Sequence, residues 1–158
     1  MVTVTRSPAL EEWAREARRR FESGDQAWFE QTTAHGEVSS FGTAPDEQLR
    51  GREAVLAMLD GMHATSDVAD PGAAATGNED EEQVEAYEAG DAGWIVTHGR
   101  FTFADGSWVP NRVVNVVLRD PDGGGWTSVL VASQLLVPDE LLDADSPLRR
   151  RSGLTQPG

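Results

Sequence analysis

Residues 94–118, which read WIVTHGRFTFADGSWVPNRVVNVVL, restrict the fold of this chain more than any other stretch. Two runs rich in valine, threonine and aromatic residues flank the pair Asp105-Gly106, and this arrangement is the strongest short-range signal for a β-hairpin. A two-residue turn at that pair fixes how the strands align, and it places His98 opposite Val113. The stretch therefore predicts a long antiparallel hairpin with a defined register.

The predicted register divides the side chains between two faces, because successive residues of a strand point to opposite sides. One set, extended by the next strand, is assigned to the interior of the fold: Trp94, Val96, His98, Arg100, Asn111, Val113, Asn115, Val117, Ser128, Leu130, Ala132 and Gln134. The other set is equally apolar: Ile95, Thr97, Phe101, Arg112, Val114, Val116, Leu118, Val129, Val131 and Leu135. Helices can cover only one face of a single sheet, so the second face predicts a homodimer formed through the outer sheet face. The alternative is that the segment LLVPDELL folds over it.

The first half of the chain has the signals of three helices. Ser7-Pro8 predicts a helix start, because serine caps free N–H groups and proline fits the first helical position, and Gly24 ends the apolar helical spacing that follows. Asp25 is expected to cap a second, short helix that carries Trp28 and Phe29 inward. A third helix is predicted to open at Asp46 and to run through EQLRGREAVLAMLDGMH.

Strand signals dominate the second half. HGEVSSFG is predicted to be a strand, and EQVEAYE, AGWIVTHGRFTF, WVPNRVVNVVLR and WTSVLVASQLLV form an antiparallel series punctuated by glycine-rich turns. Helices followed by an antiparallel meander indicate an α+β fold. We expect one domain over residues 8–140, after an arm of residues 1–7 and before a disordered tail of residues 141–158. Residues 66–82 are small, acidic and turn-rich, and they predict a mobile loop.

Charge and residue usage exclude several classes of function. The chain of 158 residues has a net charge of −14, and its 13 basic residues are all arginine, so binding to nucleic acid or to an anionic membrane is not expected. The chain contains no cysteine, which excludes disulfides and thiolate metal sites. No run of about 18 apolar residues and no signal-peptide pattern is present, and we therefore expect a cytoplasmic protein. The lack of lysine fits either GC-rich coding or adaptation to high salt.

Four stretches taken together resemble a known superfamily. FESGDQAWFEQ, LRGREAVLAML, EAGDAGWIV and VPDEL, in the order helix, helix, strand, helix and four strands, resemble the nuclear transport factor 2-like (NTF2-like) superfamily and within it the SnoaL-like branch. The resemblance covers about residues 8–140. It implies a cone-shaped α+β barrel in which three helices pack on a curved, mostly antiparallel sheet, with a pocket at the wide end and frequent dimerisation. It also implies a range of functions from isomerases, dehydratases and cyclases to non-catalytic binding proteins.

The catalytic residues of these relatives do not carry over to this sequence. Ketosteroid isomerases resemble the fold, and their carboxylate base, tyrosine and protonated acid would fall at Ser40, Ala17 and Asn115. Serine cannot replace a carboxylate base and alanine offers no donor, so isomerase chemistry by that route is not expected. The histidines frequent on the last strand of SnoaL-like relatives fall at Leu130 and Ala132.

The predicted interior set still offers polar groups for a small-molecule site. His98 is the candidate general base or acid, and Asn115 is the candidate donor to a carbonyl oxygen. Further ligand-binding candidates are Trp13, Trp28, Trp94, Arg100, Asn111 and Gln134. We expect no metal and no cofactor, because the three histidines have no metal-site spacing and no phosphate-binding glycine loop precedes a helix.

Three weaker candidates lie elsewhere in the sequence. His35 and Glu37 would share a face of the first strand and could act as an acid–base pair, but the preferred interpretation is an exposed edge of that strand. His63 is interpreted as a cap at a helix end. The acidic run NEDEE at residues 78–82 lacks the ligand spacing of a calcium loop and is interpreted as solvated surface.

Three functions therefore remain open at the level of sequence. The preferred one is a homodimeric, non-catalytic protein that binds a small apolar ligand. The second is a lyase, isomerase or cyclase that acts on a small apolar carbonyl compound with His98 as general base. The third is an interaction module whose cone is filled by Trp13, Trp28 and Trp94. The state of the cavity separates them.

Overall fold

The structure is a computed structural model, and it describes residues 1–42, 47–66, 83–102, 108–122 and 124–136. Three helices pack on a seven-stranded sheet, which confirms the α+β class. The helices are α1 (Pro8–Glu22), α2 (Gln26–Thr32) and α3 (Arg52–Ser66). The strands are β1 (Thr5–Arg6), β2 (Ser39–Phe41), β3 (Gln48–Arg50), β4 (Gln83–Ala89), β5 (Ala92–Thr102), β6 (Trp108–Arg119) and β7 (Trp126–Leu135). The expected domain bounds remain a prediction.

The sheet is open and mostly antiparallel. Its strand order is β1-β4-β5-β6-β7-β2-β3, and among its pairs only β2 and β7 run parallel within the described residues. Strands β4 to β7 therefore form a continuous meander, with the short strands at both edges. None of the helices in the described ranges has the length and apolarity needed to cross a membrane.

The first two helices begin where the sequence predicts. The Ser7 hydroxyl accepts a hydrogen bond from the backbone N–H of Leu10 at 3.3 Å, with Pro8 at the first helical position. The Asp25 carboxylate likewise accepts from the N–H of Trp28 at 3.1 Å and opens α2. Both caps satisfy N–H groups that a helix cannot satisfy itself.

The predictions for β2, β3 and the start of α3 were partly wrong. Residues 48–50, predicted as helix, form β3, and Gly51 adopts a φ of +88° before α3 begins at Arg52. The pairing of β3 with β2 satisfies backbone groups that the helix pattern alone does not take into account, and the positive φ favours glycine. The predicted strand HGEVSSFG shrinks to Ser39–Phe41. Asp46 lies outside the described residues.

The predicted register of the long hairpin was wrong by one residue. Thr102 pairs with Trp108, so five residues separate these partners, and His98 lies opposite Arg112 instead of Val113. An odd number of intervening residues is incompatible with the predicted two-residue turn, which requires an even number. The turn itself, residues 103–107, lies outside the described residues.

Because of this shift, the residues of β5 lie on the opposite face from the predicted one, while the residues of β6 keep their predicted face. The inner face, against which the helices pack, carries Val84 and Ala86 from β4, Gly93, Ile95 and Thr97 from β5, Asn111, Val113, Asn115 and Val117 from β6, and Val131, Ser133 and Leu135 from β7. The outer face carries Glu85 and Tyr87 from β4, Trp94, Val96, His98 and Arg100 from β5, Arg112, Val114, Val116 and Leu118 from β6, and Leu130, Ala132 and Gln134 from β7.

The core lies between α1 and the inner face. Leu10 is fully buried there against Ala86, Ile95 and Val117, which are at most 2% exposed. The approach is close because Gly93 has no side chain: a Cβ atom at that position would lie 2.6 Å from Leu10 Cδ1. The glycine therefore sets how closely α1 packs on β5.

A cavity between the helices and the inner face

A cavity of about 190 Å³ lies between the three helices and the inner face of the sheet, beside the core that α1 forms with it. Side chains from every helix and from three strands line it. The residues from the helices are Trp13, Ala17, Phe21, Trp28, Phe29, Thr32, Val55, Met58 and Leu59, and Thr33 follows directly after α2. The residues from the sheet are Ser40, Asn115, Ser128 and Val131.

One wall of the cavity is aromatic. Trp13 and Trp28 lie with ring centroids 5.4 Å apart and planes tilted by 42°. Phe29 meets Trp28 edge-on at 5.0 Å, and Phe21 meets Phe29 edge-on at 6.3 Å. Both are favoured arrangements of aromatic pairs, and they present ring surface to the cavity.

This wall is fixed by bonds from α3 to α2. The Arg52 guanidinium donates to the carbonyl oxygens of Glu30 and Thr33 at the C-terminal end of α2. At the other end of α2, the Gln26 side-chain amide donates to the carbonyl oxygen of Leu56 at 3.2 Å. The two bonds from Arg52 satisfy carbonyls at the end of α2 that a helix leaves free, and together with the bond from Gln26 they hold α2 against α3.

The opposite wall, formed by the sheet, is polar. The Ser128 hydroxyl donates to Asn115 Oδ1 at 2.8 Å, and the Ser128 carbonyl accepts from the N–H of Ala34 at 2.9 Å. The register of β6 and β7 shifts between Val116 and Val117, directly beside Asn115, and such a bulge re-aims a neighbouring side chain. The sheet therefore directs an amide into the cavity.

Asn115 retains hydrogen-bonding capacity on the cavity side. Its carbonyl oxygen is bonded to Ser128, whereas its amide nitrogen, with two N–H donors, has no acceptor among the described residues. Ser40, which is 4% exposed, directs its hydroxyl at the sulfur of Met58 at 3.9 Å, a weak interaction. The Asn115 amide nitrogen is therefore a hydrogen-bond donor that is available to a molecule in the cavity.

The described lining contains no titratable side chain. Its polar groups are hydroxyls, the Asn115 amide and the indole N–H groups of Trp13 and Trp28, and none of these types titrates near neutral pH. The arrangement can orient a neutral molecule by one hydrogen bond and by aromatic contact. Within the described ranges, no three histidine, aspartate or glutamate side chains are grouped as metal ligands would be.

The structure separates the predicted site residues into two groups. Trp13, Trp28 and Asn115 line the cavity together, as the sequence indicated. Trp94, His98, Arg100 and Gln134 were expected to share the interior, and that placement was wrong: the one-residue shift of β5 against β6, and the pairing of β7, put them on the outer face. Asn111 is on the inner face opposite Gly99 but is not among the lining residues.

Several lining residues were not predicted as site residues. Phe21 and Ala17 follow Trp13 at intervals of four, and Met58 and Leu59 belong to the apolar stripe of α3, so helical spacing marked all of them only as core. Ser128 was assigned to the correct face but given no role. The signal that could have found it is its position on the strand next to Asn115.

The weaker candidates lie in exposed segments, in α3 or outside the described residues. His35 and Glu37 are exposed in the segment that precedes β2, outside any strand. His63 lies within α3, and residues 78–82 are outside the described residues. His35 and Glu37 are not among the described residues that line the cavity.

The outer face is apolar at its centre and polar at one end. Tyr87 and Trp94 stack there with ring centroids 5.7 Å apart, next to Val96, Val114 and Val116. Leu118, further along β6, is 44% exposed. One row of cross-strand partners, Gln83, His98, Arg112 and Gln134, forms the polar end.

The sequence matches no protein-family model and no curated protein. Solved structures match over most of the chain. An NTF2-like protein of unknown function from Pseudomonas putida KT2440 is 17% identical, with a TM-score of 0.57 over 90% of this chain and 98% of that one. A cystatin-like fold protein from Burkholderia xenovorans LB400 is 18% identical, with a TM-score of 0.58 over 87% of this chain and 99% of that one.

A third structure is an NTF2-like protein with a cystatin-like fold from Novosphingobium aromaticivorans. It is 17% identical, with a TM-score of 0.53 over 87% of this chain and 81% of that one. At these identities the similarity shows the fold, which confirms the NTF2-like expectation at that level. The SnoaL-like branch remains a prediction.

Proposed function

We propose that this chain, which has the fold of NTF2-like proteins, binds a small, flat, largely apolar molecule in its cavity and does not change it chemically. The observation that carries this proposal is the composition of the lining. Aromatic rings face an amide donor that has no acceptor among the described residues, and the described lining has no acid or base. Pockets of this composition orient ligands by a few polar contacts.

The volume supports a ligand with a single ring. Apolar cavities of about 150 Å³ accommodate benzene, so a cavity of about 190 Å³ accommodates one ring with a small substituent. The tilted rings of Trp13 and Trp28 can contact the face and edge of such a ring.

The polar group of the ligand is proposed to be a neutral carbonyl. The Asn115 N–H groups donate and therefore require an acceptor on the ligand. No cationic side chain belongs to the described lining, and burying a carboxylate without a partner is costly. An aryl ketone, an aldehyde or an amide fits these conditions better than an acid does.

The test compares acetophenone with ethylbenzene, which has the same shape but no acceptor oxygen, by titration followed with NMR. We expect Asn115→Leu to weaken acetophenone binding about tenfold, the value of one hydrogen bond, and to leave ethylbenzene binding unchanged. Asn111→Leu, on the same face but outside the lining, is the matched control and should change neither affinity. Absence of binding to both probes, or their chemical conversion by the wild-type protein, would contradict the proposal.

We also propose that the chain forms a homodimer through the outer face. Support comes from the apolar centre of that face and from its polar row, since a stable interface combines an apolar core with a polar rim. The outer face of a second copy of the chain has the same apolar centre and the same polar row and can therefore cover the first. A twofold dimer is the commonest arrangement of this kind. The proposal does not depend on the ligand.

Sedimentation velocity at micromolar concentration tests the dimer. Val116→Asp places a charge at the centre of the outer face and should convert dimers to monomers. Ala27→Asp introduces the same charge on the exposed surface of α2 and should leave the dimer intact. A monomeric wild-type protein would refute self-association and would indicate that the face is covered from within the chain.

A further inference from the structure

The polar row of the outer face is cationic in a strongly acidic protein. Gln83, His98, Arg112 and Gln134 lie side by side on four adjacent strands, with about 4.8 Å between neighbouring strands. Arg100 follows His98 on the same face. The row contains hydrogen-bond donors and no carboxylate, although the chain as a whole has a net charge of −14.

Arg112 is a half-buried arginine that lacks a partner within the described part of the chain. Other half-buried arginines have one: Arg18 and Arg20 bond to carboxylates, and Arg52 bonds to backbone carbonyls. The neighbour of Arg112 across the β5–β6 pair is His98, which can only add positive charge. A half-buried guanidinium is normally paired, so Arg112 is suited to an anion supplied from outside the chain.

The same face contains one carboxylate among the described residues of β4 to β7. It belongs to Glu85, which lies on β4 two residues after Gln83, the member of the polar row on that strand. The Glu85 carboxylate accepts a hydrogen bond from the Tyr87 hydroxyl at 3.2 Å. Arg6 is a neighbour on β1, but its guanidinium is bonded to Glu11. Glu85 and Arg112 are separated by two strand spacings, about 10 Å, across the sheet and by two residues, about 7 Å, along the strands, which makes about 12 Å in all.

We propose that Arg112 of one copy binds Glu85 of the second copy across the outer-face dimer. This inference rests on the proposed self-association and specifies its contacts. A twofold axis can lie in the plane of the interface, midway between the positions of Arg112 and Glu85. It then places Arg112 of each copy over Glu85 of the other, so the ion pair forms twice. With that axis the strands of the two sheets cross steeply, as in orthogonal sheet packing. The two ion pairs determine the orientation of the copies, while the apolar centre provides most of the buried area.

Charge reversal with rescue tests the pair. Arg112→Glu and Glu85→Arg should each raise the dimer Kd at least about tenfold at low salt, because each places like charges against each other twice. The double variant restores opposite charges and should return the Kd to within about threefold of wild type. Sedimentation equilibrium measures the Kd, and circular dichroism verifies that each variant is folded.

Arg15→Glu on α1 is the matched control: it makes the same change in net charge on an exposed helix and should leave the dimer Kd unchanged. A wild-type dimer that Arg112→Glu does not weaken, or a double variant no tighter than the single ones, would overturn this inference and leave self-association standing. A wild-type protein that is monomeric would refute self-association itself, and the inference with it.

Discussion

The two faces of strands β4 to β7 differ much more in burial than in sequence. On the inner face Ala86 and Val117 are fully buried and Ile95 is 2% exposed, whereas Leu118, the neighbour of Val117 on β6, is 44% exposed. Valine and leucine occur on both faces. Alternation along the strands divides the residues into two sets, but the helices decide which set becomes the core. The small residues Gly93 and Ala86 mark the side that a helix can approach closely.

The largest effect that this comparison predicts comes from truncating one leucine on each side of the sheet. Leu10→Ala removes a fully buried side chain between α1 and the inner face and should lower the free energy of unfolding by about 2–5 kcal/mol. Leu118→Ala removes the same atoms from the outer face and should cost less than about 1 kcal/mol in the monomer. Urea denaturation of both variants, carried out below the dimer Kd, measures the difference. Equal losses would show that the two faces are covered alike.

A smaller effect is expected from adding a methyl group where α1 meets the sheet. The Cβ of Gly93→Ala would lie 2.6 Å from Leu10 Cδ1 and 3.2 Å from Val117 Cγ2, and neither side chain has room to move. We expect a loss of about 1–3 kcal/mol in thermal or urea unfolding. Gly125→Ala, where the added atom meets nothing within 4 Å, is the control and should have little effect. An unchanged Gly93→Ala variant would contradict the close packing of α1.

The smallest effect concerns the exposed side of α1, where ion pairs replace apolar contacts. A hydrogen bond from Arg19 lowers the pKa of Glu12, bonds from Arg19 and Arg20 lower that of Glu16, and a bond from Arg20 lowers that of Asp25. A carboxylate whose pKa is lower in the folded state contributes stability above its ordinary value, 4.5 for Glu and 3.8 for Asp. That contribution is lost as the pH falls through the lowered pKa.

Thermal unfolding between about pH 7 and about pH 2 should therefore show a loss of stability on the acid side. Because these pairs are exposed, about 1 M sodium chloride should weaken the pH dependence by screening. Arg19→Ala should reduce the dependence further, while Arg50→Ala, on an exposed arginine outside α1, should not. Stability that rises steeply with salt at neutral pH would contradict this account and would favour adaptation to high salt.

Local signals predicted the elements well and their alignment poorly. Ser7-Pro8 and Asp25 marked two helix starts, because capping depends only on neighbouring residues. The Asp105-Gly106 signal located the hairpin. That dipeptide does not determine whether an even or an odd number of residues separates the paired strands. The assumption of a two-residue turn therefore assigned His98 to the wrong face. Residues 48–50 form β3 because they pair with β2, and the local pattern of these residues, which is that of a helix, does not contain this pairing.

The candidate site was predictable to the extent that it depends on helices. Trp13 and Trp28 reach the cavity because helical spacing assigns them inward, independently of any strand register. Asn115 was assigned correctly because β6 kept its predicted face, while the residues of β5 exchanged theirs. The tilt between the tryptophans and the bond from Ser128 to Asn115 depend on tertiary packing that no local pattern contains.

Strand β6 presents Asn115 to the cavity and its neighbours Val114 and Val116 to the opposite surface. Deletion or insertion of a single codon within this strand would move each side chain to the opposite face. A valine would then point into the cavity, and the amide would lie among the apolar side chains of the outer face. We therefore expect close homologues to vary here by exchanging one amino acid for another, and to confine changes in length to the connecting turns.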